Sequence, residues 1–121
     1  MIIVVEDYQI VSMHMKNVLE RAGYEVPEIF ASGEELIEFL ENADPDLVLM
    51  DVMLDGELDG INTIDIVRNK HKFPVIFLTA LSDLESIRRI GEIKNCTLMN
   101  KPFDEALLVS TVKKAVAQGF N

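Results

Sequence analysis

Five short runs of apolar residues recur along the chain, and longer segments with a different repeat separate them. The runs are residues 2–5, 26–30, 47–50, 74–78 and 97–99. Several of them are apolar at successive positions, as strands that are covered on both faces must be. The hydrophobic pattern therefore predicts five strands, most of them fully buried in a sheet.

The segments between these runs carry apolar residues at the spacing of an amphipathic helix. Ser32 can cap the second helix, with Glu35 placed three residues later to complete a capping box. The fourth helix is predicted over about residues 83–93. The stripe predicted to face the core in this helix is Leu84, Ile87 and Ile90.

Strand and helix alternate five times, which is typical of parallel strands joined by right-handed crossovers with helices on both faces. The sequence therefore predicts an α/β fold with a doubly wound parallel sheet, in one domain that covers residues 1–121. In such folds, ligands bind beyond the carboxyl ends of the strands, where the strand order reverses. The residues that directly follow the predicted strands are the candidates for function.

Charged and hydroxyl side chains follow four of the five predicted strands. They are Glu6 and Asp7 after the first, Asp51 after the third, Thr79 after the fourth and Lys101 after the fifth. Three carboxylates at one edge of a sheet would raise each other's pKa unless a cation lay among them. Mg²⁺ suits so small a cluster, because it takes oxygen ligands and needs only one or two carboxylates.

A bound Mg²⁺ beside Lys101 and the Thr79 hydroxyl would suit a phosphoryl group, whose transfer depends on positioning and charge neutralisation. No histidine follows a predicted strand to act as a base, and the G-x-S-x-G motif of serine hydrolases is absent. Asp51 on the predicted central strand is the natural carboxylate nucleophile. The acids after the first strand would hold the metal.

The charge and the single cysteine narrow the function classes. With 21 acidic and 11 basic residues the formal net charge is −10, which argues against direct binding to nucleic acid or to an anionic membrane. No apolar run approaches the ~18 residues that span a bilayer, and the amino terminus lacks the features of a signal peptide. Cys96 is the only cysteine, so we expect a soluble, cytoplasmic protein without a disulfide.

Five short motifs occur in order along the chain: VVEDY, LVLMDVML, the pair Asp59-Gly60, PVIFLTA and Lys101-Pro102-Phe103. Together they resemble the receiver domain of a two-component response regulator, similar to the chemotaxis regulators, over essentially the whole chain. The resemblance implies a flavodoxin-like (βα)5 fold with strand order 2-1-3-4-5. It also implies Mg²⁺-dependent transfer of a phosphoryl group from a histidine kinase or phosphotransfer protein.

By the same resemblance, Asp51 is the phosphoryl acceptor, and Asp7 and Asp51 are direct Mg²⁺ ligands. The main-chain carbonyl of Met53 completes the protein ligands, and Glu6 acts through a metal-bound water. The resemblance also implies which residues contact the phosphoryl group. Thr79 and Lys101 bind its oxygens, Ala80 leaves it room, and the Lys101-Pro102 bond is expected to be cis.

The resemblance further implies that phosphorylation switches an output face made of the fourth helix, the fifth strand and the fifth helix. That face would act on an effector that the sequence does not identify. The implied chemistry is limited to the domain's own phosphorylation and dephosphorylation, so we do not expect an enzyme that turns over a separate substrate.

Three features depart from the family pattern. Leu98 replaces the aromatic residue that many members carry three positions before Lys-Pro, and Leu54 stands where many members have proline, in a loop that looks one residue longer. Met53 and Leu81, two residues after the acceptor and the threonine, are apolar. Because neither can orient a water for attack on an acyl phosphate, the sequence predicts slow self-dephosphorylation.

Two alternatives remain open at this stage. A receiver-like interaction module that is never phosphorylated is compatible with Leu98, although the complete set of site residues argues against it. A Mg²⁺-dependent phosphohydrolase with an aspartyl phosphate would be expected to carry a second acid two residues after its nucleophile. Met53 occupies that place.

Overall fold

A computed structural model describes residues 1–80 and 84–120, and within them strand and helix alternate as the hydrophobic pattern predicts. The strands are β1 (Ile2–Val5), β2 (Glu28–Phe30), β3 (Leu47–Asp51), β4 (Val75–Thr79) and β5 (Cys96–Asn100). The helices are α1 (Gln9–Arg21), α2 (Gly33–Phe39), α3 (Gly60–Val67), α4 (Leu84–Gly91) and α5 (Glu105–Gln118). Within these residues, no helix combines the length and apolar character that crossing a bilayer requires.

The five strands form one sheet in the order β2-β1-β3-β4-β5, and every neighbouring pair is parallel. This order confirms the predicted flavodoxin-like arrangement. The chain moves outward to β2 on one side of β1 and then to β3 on the other side. The strand order therefore reverses between β1 and β3, and their carboxyl ends border the crevice where such sheets bind ligands.

The core consists of two layers, one on each face of the sheet. Ile2 and Val4 belong to the layer that α1 and α5 cover, whereas Ile3 and Val5 belong to the layer that α2, α3 and α4 cover. This alternation follows from the two-residue period of a strand. Every residue of β1, β3 and β4 is buried, which explains why these runs are apolar at successive positions.

The strand boundaries differ slightly from the prediction. β2 begins at Glu28 instead of Val26, because Pro27 has no N–H to donate to a neighbouring strand. Val26 is buried all the same. At their carboxyl ends, β3 and β4 each continue for one residue beyond the predicted run. Asp51 and Thr79 are therefore the last residues of buried strands.

Ser32 caps α2 as predicted, since Glu35 N donates to Ser32 Oγ at 3.2 Å. The predicted capping box is only half formed, because Glu35 Oε1 accepts from Ser32 Oγ at 3.0 Å and not from the Ser32 main-chain N–H. The predicted stripe of α4 is wrong at two of its three positions. Leu84 is 83% exposed and Ile87 is 41% exposed, and only Ile90 is buried. The helix is short and packs on β5 and α3 near its carboxyl end, while the predicted start at Asp83 lies outside the described residues.

Arg68 at the end of α3 joins three parts of the backbone. Its guanidinium donates to Lys94 O and Phe73 O at 2.7 Å each, and to Asn95 O at 3.0 Å. These carbonyls lie just before β4 and around the start of β5. Because a charged donor is shared among main-chain acceptors, this one side chain fixes how α3 meets both strands.

We predict that Arg68→Ala lowers the free energy of unfolding by about 2–3 kcal/mol, because several carbonyls lose a charged donor. Urea unfolding measures this quantity. Arg21→Ala serves as the control, since that side chain is 70% exposed and its loss is expected to change stability by less than about 1 kcal/mol. Equal losses in the two variants would contradict the role given to Arg68.

Candidate functional site

Three carboxylates meet at the carboxyl ends of β1 and β3. Glu6, Asp7 and Asp51 each offer an oxygen, and these oxygens all lie within 4.8 Å of one another. Glu6 is 2% exposed and Asp51 is 4% exposed, while Asp7 is half-buried. The fold thus brings together the three acids that the sequence placed after separate strands.

Main-chain donors hold these carboxylates in place. Tyr8 N donates to Glu6 Oε2 at 3.2 Å, and Met53 N donates to Asp51 Oδ1 at 3.2 Å. Asp55 N donates to Asp7 Oδ2 at 3.3 Å. The segment after Asp51 therefore folds back over the cluster; we call residues 52–59 the acceptor loop.

Lys101 brings a positive charge to the cluster from the end of β5. Its Nζ lies 2.5 Å from Glu6 Oε1 and 3.2 Å from Asp51 Oδ2. Its main-chain N–H donates to Thr79 O at 2.8 Å, which fixes the backbone from which the side chain extends. The bond between Lys101 and Pro102 is cis, as the resemblance implied.

The charges in the cluster shift one another's pKa. Burial, reinforced by the hydrogen bond and the charge of Asp51, raises the pKa of Glu6 from its usual 4.5 to about 7, although Lys101 opposes the shift. Burial alone would lower the pKa of Lys101, but its hydrogen bond to Glu6 and the charges of Asp51 and Glu6 raise it overall. Lys101 therefore stays charged, while these interactions alone leave Glu6 partly protonated near neutral pH.

The donor set fits a hard divalent cation. Three carboxylates share the one ammonium that the described structure pairs with them, so the fully ionised cluster has an excess of negative charge. All three offer oxygen, the ligand that Mg²⁺ prefers, and two are nearly inaccessible to water. Met53 N lies beside Asp51, and the role of its carbonyl as a further ligand stays a prediction.

The remaining predicted residues lie at the end of β4. Thr79 is buried, at 3% exposure, and Ala80 directly after it is exposed. Leu81, which the sequence analysis paired with Met53, lies outside the described residues. The Met53 side chain is 72% exposed.

Asp51 has one oxygen, Oδ2, close to the ammonium of Lys101. A carboxylate that attacks an anionic phosphoryl group requires such a positive charge nearby.

Gly60 has a structural role that the sequence analysis noted only as part of a motif. Its N–H donates to Val52 O at 2.9 Å, which closes the acceptor loop. A Cβ at this position would lie 2.1 Å from Asp51 O, so no larger residue fits without moving Asp51. The Asp59-Gly60 pair was the signal for this close approach.

Comparison with known proteins places the chain among signalling proteins. The family model described as response regulator receiver domain matches residues 2–113. The transcriptional regulatory protein PdtaR of Mycobacterium tuberculosis is 29% identical over 117 residues, which cover 97% of this chain and 57% of that protein. The transcriptional activator protein IrlR of Burkholderia pseudomallei is 31% identical over 118 residues, covering 98% and 51%. The chain thus spans about half the length of the curated relatives it matches.

Solved structures agree with this assignment. The signal receiver domain of a modulated diguanylate cyclase from Desulfovibrio desulfuricans has a TM-score of 0.88 and 30% identity, covering 97% of this chain and 93% of that one. A response regulator structure from Chloroflexus aurantiacus has a TM-score of 0.86 and 33% identity, covering 97% of each chain.

The raised pKa of Glu6 predicts how stability depends on pH when no divalent cation is present. The folded state holds a proton on Glu6 up to about pH 7, whereas an unfolded chain releases it near pH 4.5. The contribution to stability is therefore fully present below the lower value and is lost as pH rises through the higher one. The slope from one such proton is at most about 1.4 kcal/mol per pH unit.

Glu6→Gln mimics the protonated side chain and removes this titration. We expect the difference in unfolding free energy between the variant and wild type to grow in favour of the variant as pH rises from 4.5 to 7. Urea unfolding in the presence of a chelator, at several pH values, measures it. A difference that does not change with pH would contradict the raised pKa.

Proposed function

The chain belongs to the response regulator receiver domain family, and from that premise we propose that Asp51 accepts a phosphoryl group in a Mg²⁺-dependent reaction. The donor would be a histidine kinase or a phosphotransfer protein. The observation that carries the proposal is the convergence of Glu6, Asp7 and Asp51 around Lys101 at one end of the sheet. This arrangement supports phosphorylation over a role as a passive binding module, which has no need of buried carboxylates.

In the proposed step, an oxygen of Asp51 attacks the phosphorus of the donor phosphohistidine. A P–O bond to Asp51 forms as the P–N bond breaks, and the electron pair of that bond stays on the donor ring, which leaves as neutral imidazole because its other nitrogen carries a proton. Lys101, already 3.2 Å from Asp51 Oδ2, would bind a phosphoryl oxygen, and the Thr79 hydroxyl would bind another. Ala80 is small enough to leave the phosphoryl group room beside the strand end.

Asp7 and Asp51 would bind Mg²⁺ directly, together with the main-chain carbonyl of Met53, and Glu6 would act through a metal-bound water. When bound, Mg²⁺ would neutralise charge on the carboxylates and on the phosphoryl oxygens. Glu6 must lose its proton for the cluster to reach full negative charge. Its raised pKa therefore makes the site's affinity for a cation increase with pH near neutrality.

Family membership implies signalling to an effector, and no enzyme activity on a separate substrate is proposed. We propose that phosphorylation changes the surface formed by α4, β5 and α5. Leu98 on β5 is half-buried and packs in the core layer of α2, α3 and α4, so any movement of Thr79 would be transmitted by aliphatic contacts.

The two curated relatives named above are transcriptional regulators, but the net charge of −10 leads us to expect no direct nucleic-acid contact by this chain. The expected location is the cytoplasm.

We predict that incubation with Mg²⁺ and a small acyl-phosphate donor adds one phosphoryl group to the wild-type protein and none to Asp51→Asn. Intact mass spectrometry measures the addition. Asp65→Asn, an exposed carboxylate on α3, is the matched control and is expected to behave like wild type. Omission of Mg²⁺ should prevent labelling.

Each other outcome of that experiment selects a different function. Equal labelling of wild type and Asp51→Asn would move the acceptor to another residue. No labelling of any variant, with Mg²⁺ bound or not, would favour the interaction module. Continuous release of phosphate from phosphate monoesters would favour the phosphohydrolase.

We predict that the phosphorylated protein loses its phosphoryl group over hours instead of seconds. Met53 offers no polar atom from its side chain to orient an attacking water, and the same holds for Leu81 by sequence. Met53→Asn is expected to shorten the lifetime several-fold, while Met53→Leu should leave it unchanged. The decay of the phosphorylated mass after removal of the donor measures the lifetime. A wild-type lifetime of seconds would refute the prediction.

A further inference from the structure

Helix α4 is anchored by little apolar packing. Among its described residues only Ile90 is buried, whereas Leu84 is 83% exposed and Ile87 is 41% exposed. A helix that buries so little of its own surface is easily displaced. Its polar contacts with neighbouring elements therefore contribute strongly to where it lies.

Arg89 makes such a contact with the first turn of α3. Its Nη1 donates to Asp59 Oδ2 at 3.1 Å, and both side chains are less than one-third exposed, at 26% and 31%. With the Asn62 amide oriented to suit its neighbours, Asn62 Oδ1 accepts from Arg89 Nη2 at 3.0 Å. The planar guanidinium thus binds two side chains at once, a geometry that lysine cannot reproduce in full.

Asp59 uses its other carboxylate oxygen to begin α3. Asp59 Oδ1 accepts from Asn62 N at 2.7 Å, which is the side-chain cap of the helix. One oxygen therefore caps α3 while the other holds α4. Loss of either contact leaves the carboxylate free to turn, so the two contacts depend on each other.

The residue after Asp59 lies against the proposed acceptor. Gly60 N is bonded to Val52 O, and the space beside its Cα is filled by Asp51 O. A displacement of the Asp59 backbone would therefore be passed through Gly60 to the peptide groups that border Asp51. The acceptor loop begins directly after Asp51 and ends at Asp59, the residue that pairs with Arg89.

We propose that Arg89 is a positioning residue, which couples the location of α4 to the shape of the acceptor loop through Asp59. The consequence for Mg²⁺ rests on the proposed function, because it is the carbonyl of Met53 in that loop that would bind the ion. Coupling of this kind acts in both directions. An ion or phosphoryl group that orders the loop would also favour one position of α4.

Arg88 provides a matched control. It has the same charge and lies next to Arg89, but its ion pairs are with Glu85 and Glu92, at i−3 and i+4 along the same segment. Arg88→Ala and Arg89→Ala therefore remove the same charge from the same helix. Only Arg89→Ala breaks a contact with α3.

We expect Arg89→Ala to weaken Mg²⁺ binding about threefold to tenfold, measured by titration calorimetry with the metal alone. Removal of a positive charge would by itself strengthen binding of a cation, so this weakening has the opposite sign to the charge effect. Arg88→Ala should bind Mg²⁺ as wild type does or more tightly. Arg89→Lys, which can still pair with Asp59, should recover most of the affinity. Unchanged or tighter binding by Arg89→Ala would overturn the proposal.

A second measurement tests the coupling without metal or phosphate. Arg89→Ala should speed amide hydrogen exchange at Asn62 and Thr63, whose N–H groups are bonded to Asp59, and Arg88→Ala should not. If the wild type neither binds Mg²⁺ nor accepts a phosphoryl group, the proposed function fails while this test of the coupling stands. If exchange at both amides is the same in Arg89→Ala as in wild type, the coupling is refuted whatever the fate of the proposed function.

Discussion

The ammonium of Lys101 holds together two carboxylates that the fold buries at the end of the sheet. Glu6 and Asp51 are almost inaccessible to water, and an ionised carboxylate in such a place is costly unless it is paired and hydrogen-bonded. Lys101 contacts both, and main-chain N–H groups contact the oxygens that Lys101 leaves free. Asp7 lies beside them, and burial together with the hydrogen bond and charge of Asp51 raises the pKa of Glu6 even though Lys101 is paired with it.

The strands were predictable because burial on both faces leaves a strong signal. Runs of successive apolar residues mark β1, β3 and β4, and the alternation with helical segments determines that the sheet is parallel. The predicted start of β2 and the predicted buried face of α4 were wrong because hydrophobicity alone does not say which element a residue belongs to or packs against. Val26 is buried without belonging to β2, and α4 leaves two residues of its apolar stripe facing solvent. A periodic pattern shows that a face is apolar, but it does not say what covers that face.

The site was predictable for a topological reason. Parallel strands end at the same edge, so acids that are distant in sequence were expected to meet there, and they do. The sequence did not reveal that Lys101 would lie closer to Glu6 than to Asp51. Nor did it reveal the contact between Asp59, which caps α3, and Arg89 of α4, 30 residues away. Such pairs depend on how two helices pack, and no period in a single sequence records that.

Lys101 also suits the cluster of carboxylates both before and after the proposed binding of a phosphoryl group. Its backbone is fixed by the hydrogen bond to Thr79 O, whereas its ammonium ends a flexible stem that is 20% exposed. In the proposed phosphorylation, an ammonium held between two carboxylates would exchange one of them for a phosphoryl oxygen without leaving the site. The exchange would separate the ammonium from Glu6, and bound Mg²⁺ would supply positive charge beside the carboxylates. The side chain that pairs with the buried carboxylates is therefore the one that we propose binds the phosphoryl group.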